Sequence, residues 1–226
     1  MKPPFDISGD LDTPVSAFMK LKAFAPRFLL ESVEGGERLA RYSFIGFGDG
    51  LEVKLDRDGF RVGGERRPVP GNGFELLKGL RDALKLAPKP QPDIAGVPLA
   101  GGLVGYSSYD VVRFFERLPA RIESGTPALH YIAPRSLLVF DHLTRGIALV
   151  HAGSEEERQS LRKEVIRALH GALPNGIRTG RYSQPAAAYS RQDYMIWRSA
   201  SALRVRTATA LVRRSGVSTS MLSICA

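Results

Sequence analysis

The sequence predicts an α+β fold: mainly antiparallel, sandwich-like sheets with flanking helices. Three observations predict it. Two runs, 51–55 and 60–62, alternate with a period of two around Asp58-Gly59, where glycine supplies the positive φ of a tight hairpin. Two further runs, 134–140 and 146–150, are nearly continuous in hydrophobicity and are joined by the short turn 141–145, so both of their faces should be covered. Phe74, Leu77, Leu80, Leu84 and Leu86 recur at helical spacing with Lys and Arg between them, which makes 73–86 an amphipathic helix.

The remaining elements follow in order. Asp12-Thr13-Pro14-Val15 opens a first helix: Thr13 can cap it, and Pro14 suits the first turn because its missing N–H needs no partner there. Phe18, Leu21 and Phe24 give that helix an apolar side, and Pro26 stops it. Strands at 28–32 and 41–47 come next, and with 51–55 and 60–62 they should form one antiparallel sheet. The stretch 87–97, with Pro88, Pro90 and Pro92, reads as a rigid surface connector. A glycine-rich strand at 101–105 then runs through a turn into a short helix bearing Tyr109, Val112 and Phe115, closed by Pro119. Its glycines spell neither G-x-G-x-x-G nor a P-loop, so they read as close backbone packing within a sheet. Asp110 and Arg113, three apart, read as an exposed local pair. Ser154-Glu155-Glu156-Glu157 is a capping box, and the helix it starts carries Leu161, Val165, Ile166 and Leu169, with Gly171 past its end.

Composition narrows the function classes. The chain holds 43% hydrophobic and 24% charged residues, ordinary for a soluble globular protein. No apolar run is long enough to span a bilayer and the first residues lack a signal-peptide core, so a cytoplasmic protein with no membrane partner is expected. Cys225 is the only cysteine, which excludes a disulfide framework and a cysteine-rich zinc site. His130, His142, His151 and His170 are scattered without metal-ligand spacing and read as structural. The net charge of +9 is uneven. Residues 1–175 hold 24 of the 32 basic residues against 22 of the 23 acids, whereas residues 176–226 hold eight arginines against Asp193 alone. A nucleic-acid domain would spread its cations over a folded face with aromatic platforms between them, so this distribution argues against one. After Met195 the apolar periodicity lapses and acids vanish.

The densest polar grouping lies between the first two strands. Glu31 and Ser32 close one apolar run, and Arg41 opens the next. If the two runs pair, a carboxylate, a hydroxyl and a guanidinium can converge at one end and hold a zwitterion such as an amino acid. The same pattern also suits a plain hairpin with polar residues at its open end.

Leu29-Leu30-Glu31-Ser32, Arg41-Tyr42-Ser43-Phe44-Ile45-Gly46, and Gly101-Gly102-Leu103-Val104-Gly105-Tyr106 with Tyr109-Asp110, in this order and spacing, resemble the N-terminal region of anthranilate synthase component I from about Asp10 to Tyr194. Ser107-Ser108 departs mildly from the usual Leu-Gly. The sister family, aminodeoxychorismate synthase component I of the folate pathway, shares the scaffold but usually carries Asp where Glu31 stands. The resemblance implies the N-terminal part of that fold and a feedback site for L-tryptophan. Glu31 and Ser32 would hold the amino-acid end and Pro14 would line the indole side, while Arg41 takes a position where some members have Lys, in an alignment that needs a gap.

The same resemblance implies that the intact enzyme makes anthranilate and pyruvate from chorismate, with Mg²⁺ as cofactor and ammonia from a glutamine amidotransferase subunit (component II). The family's catalytic residues and Mg²⁺ ligands lie in a C-terminal region, so no catalytic or metal-ligating residue is assigned here and the chain alone is expected to be inactive. The expected organisation is a domain over 1–171, a linker and the start of the chorismate-binding region over 172–195, and an aberrant, disordered basic tail over 196–226. That tail reads as an out-of-frame translation after Met195. The alternatives are the sister enzyme's fragment, or a non-catalytic module that binds an amino acid or associates with RNA.

Overall fold

In a computed structural model the described residues are 4–31, 41–118, 125–174, 190–192 and 195. The chain divides into two units, Met1–Gly176 and Ile177–Ala226. In the second, residues 191, 192 and 195 are helical. The first unit is α+β, as expected, and holds two five-stranded antiparallel sheets.

The first sheet runs in the order β1 (Ile7–Ser8), β10 (Gly146–His151), β9 (Ser136–Asp141), β3 (Tyr42–Phe47), β2 (Phe28–Leu30). The second runs β6 (Glu65–Arg67), β5 (Gly59–Val62), β4 (Leu51–Asp56), β8 (Leu129–Ala133), β7 (Val104–Ser107). The runs 28–32 and 41–47 therefore do not share a sheet with 51–55 and 60–62. β3 is buried almost end to end and is paired on both edges, by β2 and by β9 (Ile45 opposite Leu138, Phe44 opposite Val139), so no edge is left for β4. The chain crosses between sheets through Gly48, at φ 78°, and Gly50, where a Cβ would overlap the carbonyl oxygen of Ala133.

β9 and β10 are covered on both faces, as their unbroken apolar runs require. On one face Ile45, Phe47, Leu138, Phe140, Ile147 and Leu149 meet Ala17, Leu21, Val165 and Leu169 from the helices. On the other, Phe44, Leu137, Val139, Ala148 and Val150 are covered by Phe5, Ile94, Val97 and Leu99. The proline-rich stretch is thus half of a core lid as well as a connector. Pro90 is buried, and Gln91 bridges His151. Each aliphatic side chain so buried contributes roughly 1.5–3 kcal/mol.

The helices match their signals. α1 (Pro14–Lys20) starts with Thr13 accepting from Ser16 N and continues as a 3₁₀ turn, Leu21–Phe24. α2 (Gly73–Leu86) is capped by Asn72 and buries Leu76 and Ala83 against Val53, Leu55, Phe60 and Val62. The opposite face of that sheet is polar, with Arg61, Lys54 and Asp56 in an ion network, as suits an antiparallel sheet with one wet side. α3 (Glu155–Leu169) has the full capping box: Glu157 N donates to Ser154 Oγ (3.2 Å), and Ser154 N donates to Glu157 Oε2 (2.8 Å). Its acidic first turn includes Glu155, pulled down to about 2 by hydrogen bonds from Arg158 and then Gln159. In the glycine-rich segment, Gly105 sits where a Cβ would overlap the His130 carbonyl, and a 3₁₀ turn, Tyr109–Phe114, follows. Asp110 and Arg113 pair there at 3.5 Å.

Candidate functional site

The antiparallel pairing of β2 with β3 ends at Leu30 opposite Phe44. Glu31 follows that last pair and Arg41 precedes Tyr42, so the strands deliver both residues to the same end of the sheet. Glu31 is exposed there. Ser32 lies outside the described residues. Pro14 is buried as the first residue of α1, which packs on β2 and β3.

Arg41 is already tied to a residue that the sequence pattern did not single out. Its Nε and Nη2 donate to the two carboxylate oxygens of Asp141 at 3.0 and 2.8 Å. The Asp141 side chain is 1% exposed, the Arg41 side chain 39%. Tyr42 lies under the guanidinium, with the ring centroid 4.8 Å from Cζ. The hydrogen bond from Arg41 holds the Asp141 carboxyl below the usual carboxylate range, against burial that pushes it up. Hydrogen bonds from Thr144 and from Leu143 N (3.1 Å) act in the same direction. Asp141 in turn raises the guanidinium above its ordinary value. The only trace of Asp141 in the sequence is its place at the start of the 141–145 turn, where an aspartate accepts its own backbone two residues on. Its partner across the sheet could not be read from that.

Beside this pair lies a cavity of about 250 Å³ lined by Asp10, Asp12, Asp141, His142 and Arg145. It reaches from the turn after β9 to the residues just before Pro14. Asp12 is paired with Lys20 at 2.9 Å and accepts from Ser16 Oγ at 2.6 Å. His142 Nε2 meets Ser43 Oγ at 2.8 Å and His151 Nδ1 meets Ser136 Oγ at 2.8 Å, while His130 pairs with Glu52 and His170 closes α3. Among the described residues no three His, Cys, Asp or Glu side chains gather as metal ligands would. Among the same residues no helix is long and apolar enough to cross a membrane.

No family model matches the chain. Among curated proteins it is similar to the anthranilate synthase component 1 of Thermus thermophilus, 38% identical over 193 residues that cover 83% of this chain and 40% of that protein. It is similar to the protein of the same name from Acetivibrio thermocellus, 36% identical over 162 residues, covering 68% of this chain and 32% of that one. The Pseudomonas putida protein is 33% identical over 211 residues, covering 82% and 41%. A solved structure, anthranilate synthase component I from Streptococcus pneumoniae, aligns with 77% of this chain and 38% of its own at 24% identity and a TM-score of 0.49. The chain spans about a third to two fifths of the length of these curated relatives.

Proposed function

The chain belongs to the anthranilate synthase component I family over the residues matched, and we propose that it is the N-terminal, tryptophan-sensing part of such a subunit. The observation that carries this reading is the end of the β2–β3 pair. In its support, Glu31 follows the last β2–β3 pair and Arg41 precedes β3, inside a stretch that bears the Leu-Glu-Ser and Arg-Tyr-Ser-Phe motifs. Glu31 accepts from the ligand's ammonium, Ser32 adds a hydroxyl, Arg41 faces its carboxylate, and Pro14 lines the indole side. A carboxylate and a guanidinium match in charge the two ends of a free amino acid, and charge-assisted hydrogen bonds are the stronger kind.

In this reading the complete subunit turns chorismate and ammonia into anthranilate and pyruvate in the cytoplasm, with a glutamine amidotransferase supplying the ammonia. Mg²⁺ and the acid–base groups come from the three fifths or more of the relatives' length that this chain does not match. Residues 1–171 form the sensing domain, 172–195 lead into the chorismate-binding part, and 196–226 are an out-of-frame tail, which sequencing of the coding DNA checks. Two measurements test the function. Calorimetric titration with L-tryptophan gives saturable binding that Glu31→Ala weakens, and absence of binding overturns the sensing role. Incubation with chorismate, Mg²⁺ and ammonia gives no anthranilate fluorescence from this chain alone, and clear turnover overturns the assignment of catalysis to the remainder.

A further inference from the structure

Helix α2 carries Gly79 in its middle, which costs about 1 kcal/mol against alanine and so asks for a packing reason. The reason is Phe60: a Cβ on Gly79 would stand 3.0 Å from its ring. Beside this close approach of α2 to β5 lies a cavity of about 320 Å³. Its floor is Phe60, Val62 and Ala83, all buried. Its wall is Pro68-Val69-Pro70, the stretch after β6, where two prolines fix the backbone and hold Val69 57% exposed. A preformed apolar hollow of this size suits a small flat ring.

Four charged side chains line the cavity, and three are engaged elsewhere. Arg67 Nη2 donates to Glu65 at 2.7 Å, Glu75 Oε2 accepts from the Gly71 amide at 2.7 Å, and Lys85 takes the Asp82 carboxylate at 2.7 Å. Lys78 is the fourth. It is exposed, and among the described residues it makes no hydrogen bond or ion pair; it acts on Asp82 only by charge through space, behind Lys85. An ammonium without a partner beside an apolar floor matches a ring that bears one carboxylate.

We propose that this cavity binds a small aromatic monocarboxylate, with the ring on Phe60 and Val62 and the carboxylate on Lys78 Nζ. The site is built from α2, β5 and the 67–70 segment, on the second sheet, whereas Glu31 and Arg41 flank strands of the first. It does not rest on the effector reading.

The test titrates the whole ¹⁵N-labelled chain with 1-naphthoate and with 1-naphthalenemethanol, which keeps the rings and lacks the charge. Naphthoate gives saturable amide shifts confined to the cavity's own segments in β5, α2 and the stretch between them. It binds about threefold to fivefold more tightly than the alcohol, the worth of one partly exposed charge contact. Lys78→Gln abolishes that preference and Lys78→Arg, which keeps the charge, retains it; both change an exposed side chain and leave the core untouched. Shifts that do not saturate, or that fall elsewhere in the chain, overturn the proposal. So does equal affinity of the wild type for the two probes, a preference that survives Lys78→Gln, or one lost equally in Lys78→Arg.

Discussion

Removing either partner of the Arg41–Asp141 pair should cost unequal amounts, because the two are unequally buried. Arg41→Ala leaves a carboxylate that is 1% exposed with only the Leu143 amide and Thr144 to hold it. Breaking a buried pair in this way costs about 3–5 kcal/mol, and the retained hydrogen bonds put the expectation at about 3 kcal/mol. Asp141→Asn instead leaves a guanidinium that is 39% exposed and can be hydrated, so about 1–2 kcal/mol is expected. With a urea m-value of roughly 2 kcal/mol/M, the midpoints fall by about 1.5 M and about 0.5–1 M respectively.

The pH dependence separates the cases further. In the wild type the Asp141 carboxyl is depressed when folded, so it stabilises the fold above its unfolded value near pH 4, and that contribution is lost as pH falls through the depressed folded value. In Arg41→Ala the buried, unpaired carboxyl is raised when folded. The folded state then binds the extra proton, and stability rises as pH falls toward about 4. Urea melts followed by far-ultraviolet circular dichroism read the variant's rise between about pH 7.5 and 5 and the wild type's loss below about pH 4. The reasoning is refuted if Asp141→Asn costs as much as Arg41→Ala, or if the stability of Arg41→Ala falls between pH 7.5 and 5 as steeply as that of the wild type.

Two further outcomes follow from the same structure. Gly50→Ala places a methyl on the Ala133 carbonyl at the crossing between the sheets, so thermal melts should show a loss of about 1–3 kcal/mol, and a neutral result would mean that the crossing can move. His151 is held below its ordinary value by burial and by the nearby charge of Arg135, so its unfolded form binds a proton first. Stability is lost as pH falls below about 6.5 toward the lowered folded value, and His151→Gln, which cannot titrate, should flatten that part of the profile.

Local signals were legible wherever one residue type has one strong local use. Thr13 and Pro14 start α1, Asp58-Gly59 turns β4 into β5, and Ser154 with Glu157 starts α3, each within a few residues of chain. The unbroken apolar runs at 136–141 and 146–151 likewise announced strands covered on both faces. Of the candidate site, the position of Glu31 just past β2 and of Arg41 just before β3 was legible, because antiparallel pairing of neighbouring runs is a local matter.

What the sequence determined alone was therefore the set of elements, their caps and turns, and the resemblance carried by its short motifs. The tertiary structure decided which strands are neighbours. Nothing local tells β3 to take β9 rather than β4 as its second partner; that choice comes from burying both faces of β3 and β9 in one core. The same choice sets Asp141 against Arg41. A carboxylate about a hundred residues away in the chain orients the guanidinium only because the sheet register puts Tyr42 opposite Asp141.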